Sequence, residues 1–212
     1  MMPSGKGERT RSAILDHAAR LASESGLDGL TIGALAAATG LSKSGLFAHF
    51  GSREELQLAV LERTREKFAE VVFRPALARP RGLERYRAMF ERWLDWTESA
   101  DLPGGCPLLG AAMEFDDRPG PIRDRVIQHQ LEWIGTLRRT LRGAIEESQL
   151  PDDTDVEQFL FECFGNAMAY HHHRRLLGDT RARKRALVAL DHLIERHATR
   201  ATATRGLAAP AD

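Results

Sequence analysis

Cysteine, net charge and long apolar runs are all scarce in this chain, and each shortage removes a class of protein. Two cysteines, Cys106 and Cys163, cannot build a disulfide framework. No stretch approaches the roughly 20 apolar residues that cross a bilayer, so no membrane partner is expected. No charged n-region followed by an apolar h-region precedes the first helix, and the expected location is the cytoplasm. The 30 basic residues balance the 30 acidic ones, so there is no global positive field of the kind that compacts nucleic acid. A phosphate-binding glycine loop, a Ser nucleophile elbow and an HExxH pair are all missing, and the carboxylates are scattered over solvent faces. No catalytic residue and no cofactor is assigned.

A metal site is equally unsupported. His171, His172 and His173 are consecutive, and consecutive helical residues diverge by about 100°, so the three cannot converge on one ion. A helical chelate needs a His-x-x-x-His pair, and the sequence has none.

What is present is concentrated in residues 31–55, TIGALAAATGLSKSGLFAHFGSREE. Thr31 can cap a short helix whose Ile32, Leu35 and Ala36 share one face. Gly40 can adopt the left-handed conformation that stops it. Ser42 is placed to cap a second short helix carrying Leu46, Phe47 and Phe50, and Ser52-Arg53-Glu54-Glu55 reads as a capping box opening a long helix. Cap, small residue, turn glycine, cap and aromatic pair in this order spell a helix-turn-helix, whose second helix enters the DNA major groove. Charge agrees locally. Residues 1–53 carry a net charge of +2, and from Gly40 to Arg53 there is no acid at all. A basic, acid-free segment on a neutral protein suits a sequence reader better than a general phosphate binder.

Residues 9–73 resemble the N-terminal domain of the TetR family of bacterial transcriptional regulators, most specifically in LSKSGLFAHFGSREEL. The resemblance implies a homodimer that binds a double-stranded DNA operator and is released by a small-molecule effector. Two recognition helices would enter successive major grooves about 34–36 Å apart on a palindromic site. Lys43, Ser44 and Gly45 fall in the first turn of the recognition helix, with Ser42 capping it. Thr31 and Arg53 match positions that hold phosphates on either side of the groove, and His49 matches one near the backbone. Most family members have Tyr where this chain has Phe47, so one phosphate contact made by that hydroxyl is in doubt.

The rest of the chain reads as helix after helix, giving an all-α fold with a DNA-binding domain over residues 1–53. A helical effector-binding and dimerisation domain is expected over 54–212. Helices fit Thr10–Ser25, from Ser52 to about Phe73, Leu83–Ser99, LLGAAMEF, Ile122–Ser148, Asp155–Leu177 and Thr180–His197. The ends MMPSGKG and ATRATATRGLAAPAD, small, polar and Pro/Gly-bearing, are expected to be poorly ordered. The resemblance places the dimer interface on the last two helices, where Phe159, Cys163, Met168, Leu187, Leu190 and Ile194 can form an apolar seam or face the subunit's own core. Trp93, Trp96, Met113, Phe115, Trp133, Phe164 and His171 are candidates for the effector pocket. Cys106, in a Gly/Pro loop, is a candidate for an exposed thiol.

Overall fold

The chain's computed structural model describes residues 5–207, and side chains between residues 7 and 198. Every regular element among the described residues is helical. Of the two ends expected to be poorly ordered, residues 1–4 and 208–212 fall outside them, while residues 5–7 and 198–207 are helical.

Helix α1 spans Gly5–Ser25, α2 Ile32–Thr39, α3 Lys43–Phe50 and α4 Arg53–Phe68. Proline does not end α4 as the sequence suggests. The helix widens into a π turn at Ala69–Phe73 and resumes as α5, Arg74–Leu77, with Pro75 in its first turn. A first-turn proline has no intrahelical N–H bond to lose, which is why it is tolerated there. Next come α6 (Leu83–Thr97), α7 (Pro107–Glu114), α8 (Pro121–Glu146) and α9 (Val156–His171). A second π turn, His172–Leu176, closes α9, and α10 runs from Ala182 to Leu207. That is ten residues beyond the expected end at His197. The alanines and the two arginines of the added stretch are good helix formers, and no proline occurs in it.

The helices pack as two compact units. One gathers α1–α4 with residues 95–131; the other gathers residues 73–94 with 132 onward. In the first, Ala18, Leu30, Leu35, Leu46, Leu56 and Val60 are fully buried and share one core with Ala111, Phe115, Ile122 and Val126. The 95–131 segment is bonded to α1: Arg20 Nη1 donates to the Ala100 carbonyl (3.1 Å), and the Gly104 N–H donates to Ser23 Oγ (3.1 Å). Within this segment Cys106 is buried, not exposed as its loop position suggested. Burial pushes its thiol pKa up, while Trp96 Nε1–H donates to its sulfur at 3.3 Å. A buried, protonated thiol is inert, so no redox role follows.

The same unit holds an ionic cluster centred on Glu62 of α4. Its carboxylate meets Arg125, His129 Nε2 (3.0 Å) and Arg65 Nε (3.1 Å). Burial pushes the Glu62 carboxyl up, but hydrogen bonds from Arg125, His129 and Arg65 outweigh it and hold the group at about 2. Glu62 therefore stays ionised at neutral pH, tying α4 to α8.

In the second unit Tyr86 stacks edge-on against Phe159, with ring centroids 5.4 Å apart. Burial raises Cys163, beside Tyr86, to about 11. Asn166 Nδ2 donates to the Ala186 carbonyl (2.8 Å), fastening α9 to α10. Phe159, Cys163 and Leu190 are core residues of this unit, so they cannot form the seam considered from sequence. Met168, Leu187 and Ile194 are half-buried. The outward face of α9 is a different set: Phe161, Phe164, Gly165 and Ala169 lie at helical spacing, with Phe161 73% exposed. On α10, Val188, Ala189 and His192 are exposed at the same spacing.

Candidate nucleic-acid interface

Two short helices and two glycines build the interface. The Ala34 N–H donates to Thr31 Oγ1 (3.1 Å), so Thr31 starts α2. Gly40 stops α2 at φ 69°, in the left-handed region, with its N–H donating to the Ala36 carbonyl. Only glycine enters that region without steric cost. The Gly45 N–H then donates to Ser42 Oγ (3.1 Å), starting α3, and the Ser42 and Ser44 hydroxyls lie 3.1 Å apart. Gly51, at φ 71°, closes α3 through an N–H bond to the Phe47 carbonyl. Ser52 caps α4 by accepting the Glu55 N–H. The box expected there is only half formed, because the Ser52 N–H donates to the Phe50 carbonyl (2.7 Å) in the tight turn.

This frame sorts the α3 side chains. Leu46 and Phe50 point into the core, while Lys43, Ser44, Phe47, Ala48 and His49 are exposed and Gly45 is half-buried. The Phe47 ring is 49% exposed, an apolar surface that can meet a thymine methyl. Lys43 reaches back towards α2. A Cβ built on Gly33 would stand 3.8 Å from both Lys43 Cε and Thr31 Oγ1, so the lysine chain and the Thr31 hydroxyl converge over the start of α2. Arg11 of α1 stacks its guanidinium on the inner aromatic, 5.2 Å from the Phe50 centroid. Thr31, Ser42, Lys43, Ser44, Phe47 and His49 are all exposed, leaving hydroxyls, an ammonium and an apolar ring at the surface of the two short helices.

Arg53, 47% exposed, is bonded to the turn before α2. Its Nε donates to the Leu30 carbonyl (3.2 Å), and its Nη2 bonds both the Asp28 carbonyl and Asp28 Oδ1 (2.8 Å). Gln57, one helical turn further along α4, donates to the Leu27 carbonyl (2.8 Å). From the other side Glu114, the last residue of α7, accepts the Leu27 N–H (2.8 Å) and the Asp28 N–H (2.9 Å). Arg118 completes the group at Asp28 Oδ2 (3.0 Å). The Arg118 hydrogen bond, with the charge of Arg53, holds the Asp28 carboxyl below the usual range. Sequence reading missed Gln57, Glu114 and Arg118. Gln57 left a signal, a buried amide on the apolar face of α4; Glu114 lies 87 residues from the N–H it accepts and left none.

The effector-pocket candidates are divided between the two units. Trp96, Met113 and Phe115 belong to the first unit, Trp93, Trp133, Phe164 and His171 to the second. Met113 and Phe164 are about half exposed, at 50% and 48%. Trp96 packs edge-on against Phe68, and Arg118 covers Phe115. In the second unit Trp93 stacks on Tyr170 (5.6 Å) and Trp133 on Phe73 (5.8 Å). His171 Nδ1, next in sequence to Tyr170, is buried with no hydrogen-bond partner among the described residues. Burial, then the charge of Arg175, lowers its pKa, so the imidazole is neutral at pH 7.

No group of three or more His, Cys, Asp or Glu among the described residues could hold a metal ion. No described helix is long and apolar enough to cross a membrane.

Comparison with known proteins bears on the same surface. Residues 14–60 match the model of the bacterial regulatory proteins of the tetR family, and residues 82–190 match that of the tetracyclin repressor-like C-terminal domain. The HTH-type transcriptional repressor AcnR of Corynebacterium glutamicum is 29% identical over 157 residues, covering 72% of this chain and 74% of AcnR. A TetR transcriptional regulator from Chloroflexus aurantiacus is 31% identical, with a TM-score of 0.71 over 92% of this chain and 94% of that one. AibR, solved in complex with isovaleryl coenzyme A and operator DNA, has a TM-score of 0.62 at 23% identity, over 76% of this chain and 85% of its own.

Proposed function

The chain belongs to the TetR family of bacterial regulatory proteins, and from that premise we propose a homodimeric repressor that a small molecule releases from a palindromic operator. The observation that carries this reading is the α3 surface: a capped, glycine-bounded recognition helix whose outward side chains are polar, basic or apolar and never acidic. Residues 1–53 act as the reading head. Residues 54–212 bind the effector and the second subunit. The apolar stripe of Phe161, Phe164, Gly165 and Ala169 on α9, with Val188 and Ala189 on α10, supports pairing through these two helices. Small residues among the aromatics let partner helices approach closely. Around the effector, Trp93 and Trp133 supply apolar walls and the neutral His171 a polar handle. Effector binding shifts the two heads away from operator spacing and requires only a modest difference in affinity between the two states. The protein works in the cytoplasm, by binding and without turnover.

Selection of duplexes from a random-sequence pool by the purified protein tests this reading. A palindromic consensus with half-sites one helical turn apart, or a multiple of that, is the expected result. Recovery of unrelated sequences would overturn sequence-specific repression. Two side chains refine the test. Lys43→Ala weakens binding to the selected duplex by about tenfold or more, the usual worth of a base or phosphate contact in the first turn of a recognition helix. Phe47→Tyr strengthens binding by about fivefold, because a hydroxyl added at an exposed ring can hydrogen-bond a phosphate. Fluorescence anisotropy reads both. Unchanged affinity in the first variant, or unchanged or weaker affinity in the second, would refute the role given to that position.

A further inference from the structure

The turn between α1 and α2, residues 26–30, is bonded on two sides by side chains far from it in sequence. Its carbonyls at Leu27, Asp28 and Leu30 accept from Gln57 and Arg53 of α4. Its N–H groups at Leu27 and Asp28 both donate to the one carboxylate of Glu114. Gly26 makes the approach possible: it stands at φ 78°, and a Cβ there would lie 2.7 Å from Glu114 Oε1. Leu27 and Leu30, which flank these bonds, are fully buried in the core that also receives Leu46 and Phe50 of the recognition helix.

We infer that Glu114 is a positioning residue for DNA reading: by gripping the Leu27 and Asp28 N–H groups, it sets the turn against which α4 and the recognition helix are seated. A carboxylate accepting two backbone N–H bonds makes a charge-assisted pair, stronger than neutral hydrogen bonds. Arg118 reinforces the grip from beyond α7 by pairing with Asp28. Arg53 is then a strap of the turn, acting through the placement of α2 and α3. Glu114 touches no part of the DNA-facing surface, so its effect on binding must pass through Leu27, Leu30 and the packing of Leu46 and Phe50.

This inference rests on the DNA-reading function above, and one experiment separates the two. Full-length wild type, Glu114→Ala and Glu114→Gln are compared by amide hydrogen exchange and by the ratio of affinities for the selected duplex and a scrambled one. Alanine removes both acceptors; glutamine keeps one carbonyl oxygen. Exchange over residues 43–50 is expected to rise about tenfold in the alanine variant and less in the glutamine variant, with residues 156–171 unchanged. The affinity ratio falls about tenfold in the alanine variant and is partly restored in the glutamine variant, while binding to scrambled DNA is retained. Faster exchange confined to residues 26–30, with 43–50 and the ratio unchanged, would overturn the inference. If alanine loosens the whole chain, the glutamine variant decides: exchange over 43–50 equal to wild type overturns it. If wild type selects no duplex, the DNA-reading function falls, while exchange over 43–50 still judges the role of Glu114.

Discussion

Replacing both Phe161 and Phe164 with aspartate produces a folded monomer that no longer holds its operator. The two rings lie on the outward face of α9, 73% and 48% exposed and outside the buried core of their own unit, so the substitutions spare that core. In a twofold interface every residue faces its own symmetry-related patch, and each aspartate is introduced twice. The charges are then buried among apolar groups without partners, which disfavours association strongly. Separated heads bind half-sites independently and lose the effective concentration that pairing confers, a factor of roughly a hundred to ten thousand in affinity. Light scattering should report half the wild-type mass, with a thermal midpoint close to that of dilute wild type. A variant that stays dimeric would place the interface on another surface.

The seam on α9 also shows where sequence reading stops. Its residues are apolar on two sides: Phe159 and Cys163 face inward, Phe161 and Phe164 outward. Periodicity locates a helix and its faces but cannot say which apolar face meets the same subunit and which meets another. The helix-turn-helix was legible because its determinants are local. Thr31, Ser42 and Ser52 each bond an N–H three residues ahead, and Gly40 and Gly51 stop helices at their own positions. Arg53 looks free in sequence, next to a cap and at a helix start; its three acceptors come from a turn more than twenty residues earlier. Cys106 misled for a related reason. Gly104, Gly105 and Pro107 mark a loop, but whether a loop is covered depends on what folds over it, here Trp96 and the core around α7.

Gly104→Ala is expected to be among the most damaging small substitutions in the chain. A Cβ at this position would overlap the carbonyl group of Ser23 and the backbone nitrogen of Glu24. Both neighbours are main chain, so no rotamer change can relieve the clash; the contrast is Gly26, whose nearest neighbour is the tip of the Glu114 side chain. Either the end of α1 or the 100–106 loop must move. Movement lengthens the Gly104 N–H bond to Ser23 Oγ and the Arg20 bond to Ala100, the hydrogen bonds between this loop and α1. Overpacking of this kind costs about 2–4 kcal/mol, which for a chain of this length lowers the thermal midpoint by roughly 5–15 °C. The injury should also reach DNA binding, since the displaced loop leads directly into α7 and so to Glu114. Calorimetry reads the first effect and anisotropy on the selected duplex the second. A midpoint equal to wild type would mean that the loop yields freely, and a loop that yields could not hold α7 firmly enough for Glu114 to seat the turn below it.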